Sequence, residues 1–120
     1  MTGNSIFQNK ISILRKKFTS QLKQTFTSLE NLINILNTPS DDLVKKRAVE
    51  KILYISNNII GNAGTFGLKK ASTLANTMQQ SCVQILNNHE PLKSEDIHRI
   101  TELFNLLAAE NIIENKKNKN

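Results

Sequence analysis

Apolar residues recur along the first third of the chain at Ile11, Leu14, Phe18, Leu22, Phe26, Leu29, Ile33 and Leu36. Steps of three and four put them on one stripe of an amphipathic α-helix. The pattern also allows a short, separate N-terminal helix around Ser5 to Lys16. The stripe stops at Thr38-Pro39-Ser40-Asp41-Asp42, where Pro39 disfavours helix at Thr38 and Ser40 or Asp41 can cap the next helix. A second run reaches from Asp42 to about Leu68. At about 100° per residue, its Ala48, Ile52, Ile55, Ile59 and Phe66 fall close together as a core face. The third run starts near Lys69, carries Ala71, Leu74, Met78, Cys82 and Ile85 on one side, and stops at Asn87-Asn88-His89-Glu90-Pro91. Ser94 then reads as the N-cap of a last run with the stripe Ile97, Ile100, Phe104, Leu107 and Ile112. No segment alternates with period two, so no strand is predicted.

Amphipathic helices joined by short connections pack as antiparallel neighbours, so the expected fold is all-α, an up-down four-helix bundle. One domain over residues 1–113 accounts for the pattern, and a basic, disordered tail is expected over 114–120. With 120 residues the chain is long enough for one small core and short for two domains. The lone cysteine, Cys82, excludes an intramolecular disulfide and a cysteine-based zinc site; with Met78 it reads as core filling. No run approaches the roughly 18 apolar residues of a membrane span, and the first residues lack a signal-peptide pattern. A cytoplasmic protein without a membrane partner is therefore expected.

The net charge is +6, partly from Lys116, Lys117 and Lys119. Such a charge permits nucleic-acid binding, yet Lys and Arg are spread over all the runs and Tyr54 is the only tyrosine. His89 and His98 are not spaced for a shared metal, and Asp41-Asp42 suits a helix start. Neither a metal nor a cofactor is expected.

The second run has a distinct outward side. Lys46, Glu50, Leu53, Asn57, Gly61 and Gly64 follow one another along it, with Tyr54 and Ile60 flanking. Each interior glycine costs a helix up to about 1 kcal/mol relative to alanine, so Gly61, Gly64 and Gly67 need a reason. Three remain open at this point: a neighbouring helix comes close, the helix ends at Gly61, or a partner docks where side chains are missing. Leu53 and Ile60 would form an exposed apolar patch beside them.

The segment from Ser56 to Leu68 resembles the histidine phosphotransfer signature, a His-x-x-Lys-Gly stretch followed by a small residue, Ala, a variable pair and often Phe-Gly. Gly61, Ala63, Phe66 and Gly67 match in place, Leu74 and Ala75 suit the family's next helix, and the helix order agrees from about Ile11 to Ile112. In this register Asn57 stands where the family has its phosphate-accepting histidine, and Ile60 where it has the lysine. The approach from Asp42 to Asn57 is also longer than usual. An asparagine amide nitrogen has its lone pair delocalised into the carbonyl and is a very poor nucleophile, while Ile60 offers no charge to a phosphoryl group. The resemblance thus implies a catalytically inactive, pseudo-phosphotransfer protein that binds a response-regulator receiver domain or a hybrid histidine kinase. Lys46, Leu53, Asn57, Ile60, Gly61, Gly64, Leu68 and Lys69 would form its contact surface, with Lys46, Lys69 and Lys70 complementing an acidic receiver pocket. A monomer is expected, though burial of the patch in a homodimer stays open. The competing readings are a relay through His89 or His98 and a basic module for nucleic acid or another protein.

Overall fold

The computed structural model describes residues 2–65 and 67–110. It contains four helices, α1 (Thr2–Leu36), α2 (Asp42–Thr65), α3 (Lys69–Asn87) and α4 (Ser94–Ala108), and no strand among the described residues. Each helix packs on two neighbours in the ring α1–α2–α3–α4, and among the described residues no close backbone approach joins the diagonal pairs. The fold is an all-α, up-down four-helix bundle, as the periodicity predicts.

Residues expected in the core line it over most of its length. Phe18, Leu22, Leu29, Ile33 and Leu36 of α1 meet Ala48, Ile52 and Ile59 of α2, Ala71, Met78, Cys82 and Ile85 of α3, and Ile100 and Leu107 of α4. Three stripe positions, Ile55, Leu74 and Ile97, are half-buried at the edge of the core. Phe26 and Phe104 are half-buried too, their rings meeting edge-on with centroids 6.2 Å apart. Small residues that periodicity overlooks complete the α2–α3 contact: Ser56 and Ala63 on α2, Ala75 and Ser81 on α3 are all buried. Side chains this short let two backbones approach, and α2 with α3 forms the most extensive helix pair of the bundle. Ser56 avoids an unsatisfied hydroxyl by donating to the Ile52 carbonyl at 2.8 Å.

Four expectations need correction. The N-terminal segment is not a separate helix, because α1 runs unbroken from Thr2. Ile11 and Leu14 are not core: they are 38% and 52% exposed, since the longer α1 projects past the described residues of the other helices there. Helix α2 ends at Thr65, not Leu68. Ser94 is the first residue of α4 and not its cap; Lys93 holds the extended cap position, and its N–H donates to Asp96 Oδ2 at 3.2 Å. Phe66, Ile112 and the tail over 114–120 lie outside the described residues.

Connections at the far end of the bundle are held by side chains. Asp41 caps α2, its Oδ1 accepting the Val44 N–H at 2.9 Å. Asp42 accepts the Leu92 N–H at 2.9 Å and pairs with Lys46 at 3.5 Å, which fastens the α3–α4 loop to the start of α2. Asn37 bridges α1 to α4 through Thr101 Oγ1 at 3.2 Å.

Candidate docking site

The outward side of α2 is built by the same helix that supplies the core, so each of its residues is placed by the burial of Ile52, Ser56, Ile59 and Ala63 opposite. Asn57 is exposed on this side, two turns before the helix end. Its Oδ1 accepts a hydrogen bond from Gln79 Nε2 of α3 at 3.1 Å. That bond uses the amide oxygen and turns the two N–H donors of Asn57 away from Gln79. Gln79 carries no sequence signal of its own; only the packing of α3 on α2 brings it to Asn57.

Gly61 and Gly64 follow Asn57 along the helix, and both are exposed. A Cβ built on either would meet no atom within 4 Å. Among the described residues no helix comes close over them, and α2 continues to Thr65, so neither a close helix nor an early helix end accounts for these glycines. Gly67 has a different role. It lies beyond the helix with φ 74°, a left-handed conformation that disfavours any Cβ. The Leu68 N–H donates to the Ala63 carbonyl at 2.8 Å and the Gly67 N–H to the Gly64 carbonyl at 3.2 Å, the bond pair of a Schellman helix end. The requirement for glycine at 67 is therefore local and structural.

The remaining residues of the expected surface divide. Leu53, Ile60 and Leu68 are half-buried against the core and do not stand out as the exposed apolar patch foreseen from the sequence. Ser72 Oγ donates to the Ile60 carbonyl at 3.5 Å, tying this edge to α3. Lys69 is exposed at the start of α3, and neighbouring Lys70 pairs with Glu110 at 3.5 Å. Lys46 does not join them. It sits three turns below Asn57, or about 16 Å along the axis, where Asp42 and the Asn88 carbonyl hold its ammonium.

The two histidines are remote from this group, in the half that carries the α3–α4 loop. His89 is exposed in that loop, and His98 is exposed on α4 with Nε2 3.9 Å from Glu102. An open groove between α1 and α2 faces a third direction. One hollow of about 360 Å³ is lined by Gln21, Thr25, Asn58 and Asn62, and another of about 500 Å³ by Leu32, Lys51, Tyr54 and Ile55. The first exposes amides and aliphatic carbon, whereas the second also brings Glu50 to Lys51 and Tyr54. Burial pushes the Cys82 thiol up to about 12, so it stays protonated and unreactive inside the core.

Among the described residues no group of three His, Cys, Asp or Glu side chains comes together, and no helix is long and apolar enough to cross a membrane. Comparison with protein-family models, curated proteins and solved structures gives no match.

Proposed function

We propose that this bundle is a pseudo-phosphotransfer protein, binding a receiver domain or a hybrid histidine kinase through the outward side of α2 without relaying phosphate. One observation carries the reading. Gly61 and Gly64 weaken an exposed helix, yet neither is required by any contact with the described residues. Bare helix surface next to Asn57 is what close approach of a partner's backbone would use. The resemblance of the Ser56–Leu68 segment to the phosphotransfer signature points to the class of partner, and the four-helix architecture is the scaffold that signature requires.

On this reading Asn57 offers amide donors where a relay protein offers a nucleophile, and it contacts the partner's carboxylates by hydrogen bonds alone. The contact surface is Asn57, Gly61, Gly64 and Lys69, edged by Leu53, Ile60 and Leu68. Lys46 belongs to the fold's own loop anchor. The protein acts by occupying the receiver, with no enzymatic step of its own.

The test pairs wild type with Asn57→His combined with Ile60→Lys. Each is mixed with a panel of receiver domains, and both complex formation and phosphate uptake are scored. Wild-type binding without uptake, with uptake gained by the double variant, is the expected result. Acid-labile phosphate on the wild type at His89 or His98, or no receiver bound by either protein, would refute the proposal.

A further inference from the structure

The charges of the bundle are unevenly balanced along its length. In the half that carries the α2–α3 connection, helix α1 alone contributes Lys10, Arg15, Lys16, Lys17 and Lys23 and has no carboxylate before Glu30. Lys69 and Lys70 lie in the same half, where Glu110 is the single acidic residue described. The opposite half is mixed, with Asp41, Asp42, Glu50, Glu90 and Asp96 beside Lys45, Lys46, Arg47, Lys51, Lys93 and Arg99. The net positive charge of the chain is thus concentrated at one end.

That end also bears the part of α1 that projects past the described residues of the other helices. The apolar stripe that is core at Phe18 and Leu22 continues outward as Leu14 and Ile11, which are 52% and 38% exposed. Placed at about 100° per residue, Lys10 and Lys17 edge this stripe on one side and Arg15 on the other, with Lys16 behind. An uncovered aliphatic stripe between cationic edges is the arrangement of a helix that lies on an anionic bilayer, with aliphatic groups in the acyl boundary and long cationic stems reaching to the headgroups.

We infer that the projecting end of α1 is a peripheral docking element for an anionic membrane surface. The inference stands on the overhang and is independent of the receiver reading. It extends the sequence expectation, which excluded a membrane partner for want of a spanning segment. Aliphatic Ile11 and Leu14 favour a lipid surface over nucleic acid, whose phosphates would use the cations and leave both side chains in water. A second copy is disfavoured as occupant, because pairing two overhangs would set cation against cation. Each cation held near an anionic surface adds about fivefold to the partition. The sequence beyond Glu110 adds Lys116, Lys117 and Lys119 against Glu114.

The experiment is sedimentation of the full chain with phosphatidylcholine vesicles, with and without about 30% phosphatidylserine. Three proteins are compared: wild type, Ile11→Ser with Leu14→Ser, and Lys10→Glu with Lys17→Glu. None of these positions is in the core, so circular dichroism should show all three folded alike. Wild type is expected to bind only the anionic vesicles and to be released by salt, and each double variant to lose about tenfold or more of that affinity. Absence of binding to anionic vesicles, or equal binding to neutral ones, would overturn the inference. So would anionic binding unchanged by the serine pair, which would mean that the aliphatic stripe is not inserted. A duplex nucleic acid bound more tightly than the vesicles, with no effect of the serine pair, would assign the basic end to phosphate backbones instead. A wild-type dimer that the serine pair dissociates would assign the stripe to a second copy and equally reject the membrane.

Discussion

Replacing Gly61 by alanine should make the protein more stable and a poorer binder at the same time. Gly61 is in the body of α2, and its added methyl would meet no atom within 4 Å. The Thr65 hydroxyl bonds the Gly61 carbonyl at 2.9 Å, a backbone interaction that the substitution leaves in place. The gain is therefore the helix-propensity difference, about 0.8–1 kcal/mol. Gly64 is equally open but lies in the last turn, where fraying reduces the gain to about 0.5 kcal/mol. Together the two changes amount to about 1.5 kcal/mol, which for a domain of this size raises the thermal midpoint by about 4–8 °C. Gly67→Ala is the internal control with the opposite sign. Its φ of 74° places a Cβ in the left-handed region, and a loss of about 1–2 kcal/mol is expected.

Urea unfolding followed by far-ultraviolet circular dichroism would supply the three values, and receiver binding would be measured on the same samples. If the two alanines lower the unfolding midpoint, the propensity argument fails and something does pack on this side of α2. If they raise it but leave receiver binding unchanged, the glycines are not the docking surface. The proposal predicts a more stable protein with binding weakened about tenfold, because two methyl groups then stand where the partner's backbone must approach.

Other expectations follow from the core and the loops. Ile52→Ala empties a fully buried position and should cost about 2–5 kcal/mol in urea unfolding, with an unchanged slope. Asp42→Ala removes the acceptor of the Leu92 N–H and the partner of Lys46. A loss of about 1–2 kcal/mol is expected, together with faster amide exchange at Leu92, whereas slow exchange retained there would show that the loop is held by other contacts. Cys82 should resist thiol reagents in the folded protein and react at once after unfolding. Its pKa rises from 9.0 to about 12 on folding. Above pH 9 the unfolded thiol therefore loses its proton while the folded one keeps it, so stability falls as pH rises through that window, by up to about 1.4 kcal/mol per unit. Cys82→Ala should remove this contribution, and identical pH dependence in the two proteins would refute it.

Much of the helical framework is legible in the order of residues. Pro39 and the Asn87–Pro91 stretch interrupt the apolar period for local steric reasons, and Asp41 caps α2 through its own side chain; none of this depends on the rest of the molecule. The stop at Gly67 is local too, but the apolar period alone carries the run on to Leu68, and only the backbone conformation shows that α2 ends earlier. The departure from the phosphotransfer pattern at Asn57 and Ile60 is equally a property of the sequence, since it concerns which atoms are present. Periodicity shows which side of a helix is apolar but does not show whether a neighbour is there to cover it. Leu14 and Leu22 belong to the same apolar stripe of α1, yet only Leu22 is buried, because Leu14 lies past the described residues of the other helices. Ser56 and Ser81 read as polar positions, but the approach of α2 to α3 buries both. The openness of Gly61 and Gly64, the bond from Gln79 to Asn57 and the engagement of Lys46 by the α3–α4 loop were likewise settled only by tertiary packing. Each depends on the distance to residues of another helix, and spacing along one helix contains no measure of that distance.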